Sequence, residues 1–364
     1  LGRLNYILND KYLFTATARY DGSSKFGVNN KYGFFPSAAI AWRLSEEDFI
    51  KNMNVFSQLK MRVGYGSTGN ERIGLYKSIS TIAAYNNFSN GYGFNGQQTP
   101  VAWPDNIANP DLSWEKAEDF NIGLDMGFLQ NRLTVTLDLY KKTTTDLLMN
   151  TPLPRESGYA SVLQNVGSME NKGFEITINS INTTGAFGWY TNLNYSMNKN
   201  TVLDLGGAAF YFTGWTGGGN NNHNGTHVVR IAPGEPVGAF WGAIYEGMYN
   251  DQQEIDQAGY QPNNRPGSER YKDLNEDGVF TEADDTYIGD PNPDFIFGFN
   301  NDFTWKQFSL NVFMYGEVGQ EVANFAVGNK LTGGTNLLRS DREKRWTPEN
   351  PEGTTPAANQ GIGS

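Results

Sequence analysis

The feature that most limits what this chain can fold into is a two-residue alternation of apolar and polar side chains, repeated in segment after segment. Successive side chains of a β-strand point to opposite faces, so each such segment carries one apolar and one polar face. Tyr12, Phe14, Ala16, Ala18 and Tyr20 alternate with Leu13, Thr15, Thr17, Arg19 and Asp21. Leu59, Met61, Val63 and Tyr65 alternate with Lys60, Arg62, Gly64 and Gly66, and Leu133, Val135, Leu137 and Leu139 with Thr134, Thr136, Asp138 and Tyr140. The same pattern runs through residues 34–44, 119–128, 174–179, 189–197, 295–299 and 308–314. Several segments approach the roughly 9–11 residues that a tilted strand needs to cross a bilayer.

The connections carry more information than the strands. Short ones at residues 9–10, 129–131, 182–186 and 304–306 alternate with long polar segments at 22–33, 67–116, 143–172 and 200–293. Residues 45–57 are intermediate, with a small helix expected around 46–52. If every strand crosses once, all short turns fall on one side and all long loops on the other, an asymmetry typical of outer-membrane barrels. A soluble sandwich shows the same alternation within strands but has no reason to keep that asymmetry. The expected fold class is all-β, a transmembrane antiparallel β-barrel segment with short periplasmic turns and long extracellular loops.

Composition excludes several function classes. No apolar run approaches the roughly 18 residues of a membrane helix, and mean hydropathy is −0.53; a barrel wall tolerates both, because only alternate residues meet lipid. The net charge of −11 leaves no basic stripe for phosphates, so no nucleic-acid partner is expected. There are no cysteines, which removes disulfides, thiolate metal sites and Cys nucleophiles. No Gly-rich phosphate loop, G-x-S-x-G elbow or zinc signature is present, so an enzyme is not expected. The chain opens on Leu1 with no leader-like segment and reads as an internal fragment.

Several ordered blocks resemble the SusC/RagA family of TonB-dependent outer-membrane transporters. They are YDGSSKFGVNNKYGFFPSAAIAWRLSEEDF (20–49), LKMRVGYGSTGN (59–70), NPDLSWEKAEDFNIGLDMGFLQNRLTVTLDLYKKTTTDLL (109–148), NVGSMENKGFEITIN (165–179) and DLNEDGVFTEADDTYIGDPNPDFIFGFNNDFTWKQFSL (273–310). The resemblance implies part of a large plugged barrel of about 22 strands. It also implies import of an oligosaccharide (glycan) or peptide substrate, a SusD-like surface lipoprotein as lid, and the TonB complex as energy source. Residues 1–364 then form one partial barrel domain in outer-membrane lipid, with strands over about 1–316 and a loop-like tail at 317–364. The plug domain and signal peptide are expected to lie outside it. Alternatives of other classes are a passive porin or surface adhesin on a similar barrel, and a soluble β-sandwich binding module.

Candidate sites concentrate in the long loops. Asp273, Asn275 and Asp277, with Gly278, the Val279 carbonyl and Asp284, fit the spacing of a Ca²⁺ loop except that Asp stands where Glu is usual. Side-chain oxygens at the first, third and fifth positions and a carbonyl at the seventh suit a hard cation, and Gly at the sixth permits the turn. The same spacing also makes a hydrogen-bonded acidic turn without metal, and Asp285 is a substitute for Asp284. Trp103, Tyr211, Trp215 and Trp241 are candidate platforms for sugar rings, or else loop packing and interfacial aromatics. His223 and His227, in a Gly/Asn-rich stretch, read as solvated loop. Glu46, Glu47 and Asp48 read as a charged helix start, and residues 339–345 as a mixed-charge surface stretch. Arg19, Arg43, Lys60 and Arg62 fall on the polar faces, where they meet a plug or an acidic ligand.

Overall fold

The computed structural model describes residues 1–85, 92–94, 97–99, 101–159, 161–213, 229–258, 265–323 and 339–357. They divide into two compact units, residues 1–209 with 293–318 and residues 210–292 with 319–364.

The first unit is built on one ten-stranded antiparallel sheet in which every strand pairs with its neighbour in the chain's wall order. The wall strands are β1 (Gly2–Leu8), β2 (Tyr12–Gly22), β3 (Tyr32–Arg43), β4 (Phe56–Asn70) and β5 (Glu115–Phe128). They continue as β6 (Leu133–Thr145), β7 (Ser168–Thr183), β8 (Phe187–Asp204), β9 (Phe295–Trp305) and β10 (Phe308–Val318). β1 and β10 are open edges.

Register turns the alternation into two continuous faces. Leu8, Tyr12, Trp42, Met61, Leu124, Leu137, Ile176, Tyr195 and Phe297 stand directly abreast across β1 to β9. One residue along, Arg62, Gly123, Asp138, Glu175 and Ser196 form a row on the other face. A one-residue slip in any strand would exchange its faces, so the pattern itself specifies the pairing.

The short turns are tight. Asn9 and Asp10 both have positive φ, 52° and 56°, as a two-residue turn matched to strand twist requires. Leu129, Gln130 and Asn131 follow one another in the left-handed region, with φ of 51°, 57° and 62°. The intermediate connection folds as a 3₁₀ turn at Leu44–Glu46 and a helical turn at Asp48–Lys51. The Glu47 carboxylate accepts from Lys11 Nζ at 2.8 Å and from Tyr12 Oη and Trp42 Nε1 at 3.1 Å each. These donors, Lys11 foremost and against the opposing effect of burial, hold the Glu47 pKa below its usual value.

The apolar face of the wall is not covered. Tyr20, Phe34, Leu139, Phe308 and Leu310 are 58–66% exposed. A soluble protein rarely leaves an apolar sheet face of this extent in water, whereas lipid is its proper solvent. Aromatic residues gather near the short-turn ends: Trp189 stacks on Phe303 at 5.8 Å, Trp305 on Phe308 at 6.4 Å and Phe56 lies 5.2 Å from Phe128. Toward the long loops Tyr20 stacks on Tyr32 at 5.3 Å. Girdles of this kind mark the two interfaces of a membrane barrel.

The buried core of this unit sits at the base of the long loops. Phe26, Phe35, Leu112 and Trp114 cluster there, with Ile73, Leu148 and Leu163 packed against them. Trp114 Nε1 donates to the Lys31 carbonyl at 3.2 Å. The Asn165 side chain accepts from Ser113 N at 2.7 Å and donates to the Ser113 and Asp146 carbonyls. Segments expected to be plain loop therefore carry local structure, including hairpins of Thr81–Tyr85 with Val101–Asn106 and of Leu148–Pro152 with Ser161–Asn165.

The second unit contains a four-stranded sheet of Tyr211–Thr213, Val229–Ile231, Ala239–Gly242 and Thr286–Gly289. A separate ladder pairs Tyr245–Met248 with Glu269–Tyr271. Asp251 caps the helix Gln252–Gln257 by accepting from Glu254 N at 2.9 Å. The tail, expected to be loop-like, is anchored: Trp346 is buried, and Ala357 N donates to the Gly267 carbonyl at 2.9 Å. Gly267, with φ of 85°, lies flat against the Trp346 ring, where a Cβ would come within 2.3 Å.

Candidate functional site

The polar face of the wall forms one candidate surface. Arg62 on β4 is bidentate to Asp125 on β5, at 2.9 and 3.1 Å, and reaches over that strand to Asp138 on β6 at 3.1 Å. Gly123 is what lets it pass, because a Cβ there would lie 2.6 Å from both Arg62 Cζ and Asp138 Oδ1. Lys60 adds a 3.5 Å pair to Asp125, and Arg19 pairs with Asp21 at 2.7 Å. Arg43 donates to the Asp10 carbonyl at 3.4 Å. Sequence reasoning placed these four basic residues on the polar face but missed Asp125 and Asp138 as partners of Lys60 and Arg62, which become neighbours only through register.

Further round the wall the polar face is lined by amides. Asn192 donates to Asn179 at 2.7 Å and Asn194 to Asn192 at 2.7 Å, while Thr177 donates to Asn194 at 3.0 Å. Asn311 bridges Asn300 and Asp302 at 2.7 and 2.6 Å. On β4 to β6 the Lys60 and Arg62 charges are thus met by opposite charges, and from β7 to β10 amides meet amides.

The acidic loop of the second unit is locally locked. Asp273 Oδ2 accepts from Gly278 N at 2.8 Å, Asn275 Oδ1 from Asp277 N at 2.9 Å, and Asp277 Oδ1 from Val279 N at 2.8 Å. Gly278 has φ of 82°, the left-handed conformation that the spacing demanded of glycine. Asp284 is fully buried. Its Oδ1 accepts from Leu274 N at 2.9 Å and Asn275 N at 3.3 Å, and its Oδ2 from Thr281 N at 2.7 Å. Burial alone would raise the Asp284 pKa, but the three N–H donors outweigh it and hold it below the usual carboxylate value. Asp273 Oδ1 is buried without a hydrogen-bond partner. Among the described residues no three His, Cys, Asp or Glu side chains converge as a ready ligand set.

The described aromatic candidates fall in both units, Trp103 in the first and Tyr211 and Trp241 in the second. Trp103 is 38% exposed on its hairpin strand. Tyr211 pairs with Ile231. Trp241 has the Arg230 guanidinium 3.7 Å from its ring centroid, so one ring face is taken; Arg230 also lies 5.0 Å from the Phe210 ring and 3.8 Å from Glu235. Trp215, His223 and His227 lie outside the described residues.

A family model described as "TonB dependent receptor-like, beta-barrel" matches residues 2–275. The chain belongs to this family. Within it, the chain is 38% identical over 362 residues to TonB-dependent receptor P26 of Formosa agariphila, covering 98% of this chain and 35% of that protein. It is 32% identical to TonB-dependent receptor SusC of Bacteroides thetaiotaomicron, covering 93% of this chain and 33% of that one. Among solved structures, the RagAB peptide transporter superposes with a TM-score of 0.79 at 26% identity, over 99% of this chain and 38% of its own. The chain therefore spans about a third of the length of these TonB-dependent receptors. The ten-stranded sheet is a stretch of TonB-dependent receptor barrel wall.

Proposed function

We propose that this chain supplies part of the pore wall and the long outer loops of a TonB-dependent importer of glycans or peptides. The observation that carries the reading is the two-faced wall, apolar outside and hydrogen-bonded polar inside, in a chain similar to SusC and to RagAB along nearly its whole length. The short turns face the periplasm, the long loops face outward, and a SusD-like lipoprotein closes over the loops. Energy comes from the TonB complex through parts of the protein beyond this stretch. The chemistry of this stretch is recognition and passage, with no catalytic group assigned. A peptide substrate is favoured for the RagAB relative by its own description, and the amide-lined polar face suits peptides and sugars alike.

The test is uptake by cells lacking the gene for the full-length protein, given fluorescent oligosaccharides and peptides in parallel. Loss of one uptake, matched by loss when TonB is removed, supports the reading. Uptake that needs the barrel but not TonB makes it a passive porin and overturns active import.

The acidic loop supports a second reading, a structural Ca²⁺ held by Asp273, Asn275, Asp277 and the Val279 carbonyl, with Asp284 or Asp285 completing it. The buried, unpartnered Asp273 Oδ1 is the oxygen that such an ion would satisfy. Calorimetric titration with calcium, compared with an Asp273→Ala/Asp277→Ala variant, tests it; the same heat signal from both would sink it.

A further inference from the structure

Three lysines stand directly abreast on the lipid-facing side of the wall. Lys141 on β6 is opposite Lys172 on β7, and Lys172 is opposite Lys199 on β8. They share a face with Leu139, Phe174 and Met197, one step toward the long-loop end of each strand. Like charges directly opposite one another destabilise a sheet, and lipid-facing positions disfavour charge most strongly at mid-membrane. Three in a row therefore require a reason.

Partial neutralisation comes from Glu170, which pairs with Lys141 at 2.7 Å and Lys172 at 3.3 Å. That carboxylate is 12% exposed and engaged by both, while the two lysines remain 59% and 56% exposed. Lys199 has no ion pair among the described residues. Glu118, on the same face of β5, is engaged by the Tyr65 hydroxyl. An open groove of about 390 Å³ runs against the row, lined by Phe120, Ile122, Leu139, Phe174 and Met197 and bordered by all three lysines. It lies on the fifth to eighth strands of ten, away from both open edges of the sheet.

We propose that this groove binds an outer-leaflet lipid with a phosphorylated headgroup, its acyl chain against the apolar side chains and its phosphate across the lysine row. Lysines at a bilayer boundary reach up to the headgroup layer along their aliphatic stems. The height fits. Lys141 lies eight positions beyond Leu133, the first residue of β6, which is about 20 Å along the membrane normal for a strand tilted near 40°, toward the top of an apolar band of roughly 25 Å. Placement in the outer leaflet rests on the outward orientation of the long loops proposed above.

The experiment uses the full-length barrel protein in detergent and reads retained lipid by native mass spectrometry. The probes are dioleoyl phosphatidic acid, dioleoyl phosphatidylcholine and inorganic phosphate. Phosphatidic acid is expected to bind at least about tenfold more tightly than phosphatidylcholine, with inorganic phosphate failing to compete at millimolar concentration. Lys141→Gln/Lys172→Gln/Lys199→Gln should weaken phosphatidic acid binding by at least about tenfold, since each lysine near an anionic headgroup is worth roughly fivefold. Lys142→Gln, on the opposite face of the same strand, should leave it unchanged. If the triple variant does not insert, Lys199→Glu is read instead, with a loss of at least about fivefold expected. Binding within twofold of wild type in the lysine variants, or an equal loss from Lys142→Gln, overturns the proposal. None of these readouts depends on transport, so a failure of the import reading would show separately.

Discussion

Asp284 is the residue on which the acidic loop turns, and replacing it is the sharpest test of how that loop is held. The carboxylate is fully buried and accepts three backbone N–H bonds, from Leu274, Asn275 and Thr281. Each bond to a charged acceptor contributes about 1.5–3 kcal/mol. The sum overstates the loss, because neighbouring Leu274 is 38% exposed and water can reach part of the opened loop. A local cost of about 3 kcal/mol for Asp284→Ala is the working value, which corresponds to more than a hundredfold faster amide exchange. Asp284→Asn keeps one carbonyl oxygen for Leu274 and Asn275 but turns an amide N–H toward that of Thr281, so it should fall between. The assay is hydrogen exchange by mass spectrometry on peptides spanning 272–286, in chelator, with the wall peptide 133–145 as reference. An Ala variant within threefold of wild type would refute the account, as would an equal change in the wall peptide.

The pH dependence of the same loop has a definite sign. The Asp284 carboxyl is depressed in the folded state, so its contribution is full above the unfolded value of about 3.9 and is lost as pH falls through the lower folded value. Loop protection, corrected for intrinsic exchange, should be flat from pH 7 to about 5 and fall only below about 4. Gly27→Ala and Gly123→Ala should differ widely. A Cβ on Gly27 would lie 1.7 Å from the Pro110 carbonyl oxygen, which is backbone, whereas on Gly123 it meets the mobile end of Arg62. Thermal unfolding of the full-length barrel should show a loss of at least about 3 kcal/mol for the first and about 1 kcal/mol for the second. Arg62→Ala leaves Asp138 without its cation and Asp125 with only Lys60, and should cost about 2 kcal/mol. Arg62→Lys should recover less than half, because an ammonium cannot be bidentate to one carboxylate while reaching another; full recovery would argue against the bridging geometry.

The wall was legible in the sequence because its physics is periodic. Tyr12, Phe14 and Ala16 declare their face without help from any partner, and the turn at Asn9 and Asp10 declares itself by residue type. What required the structure was everything that depends on register between strands far apart in sequence. Arg62 could be assigned to the polar face, but not to Asp138, because the decisive residue is the Gly123 between them. The lysine row was hidden in the same way. Nothing in the local sequence marks Lys141, Lys172 and Lys199 as neighbours; pairing sets them abreast. The loops were opaque for a different reason. A three-residue strand such as Val229–Ile231 is too short to show a period, and the burial of Trp346 depends on Gly267 arriving from a distant segment. In the acidic loop the turn at Gly278 was legible in the spacing; the inward turn of Asp284 onto backbone N–H groups was not.

The pairing of charges on the polar face bears on where selectivity can reside in the proposed importer. A wall that attracted acidic substrates would leave guanidinium groups free, yet Arg62 is shared by two aspartates and Arg19 is held by Asp21. Toward basic solutes the wall is less closed: Asp125 carries both Lys60 and Arg62, but Glu175 on the same face is exposed with no ion pair among the described residues. Much of the remaining lining on β7 and β8 is amide and hydroxyl, with hydrogen bonds already exchanged among Thr177, Asn179, Asn192 and Asn194. Such a surface lets a polar solute slide by exchanging bonds of similar strength, and it discriminates weakly. Strong discrimination needs unpaired, desolvated groups in a shaped pocket. In this chain the aromatic and acidic residues of that kind lie in the loops, so changes of substrate should map there, to residues 71–114, 146–167 and 205–294, and not to the strands.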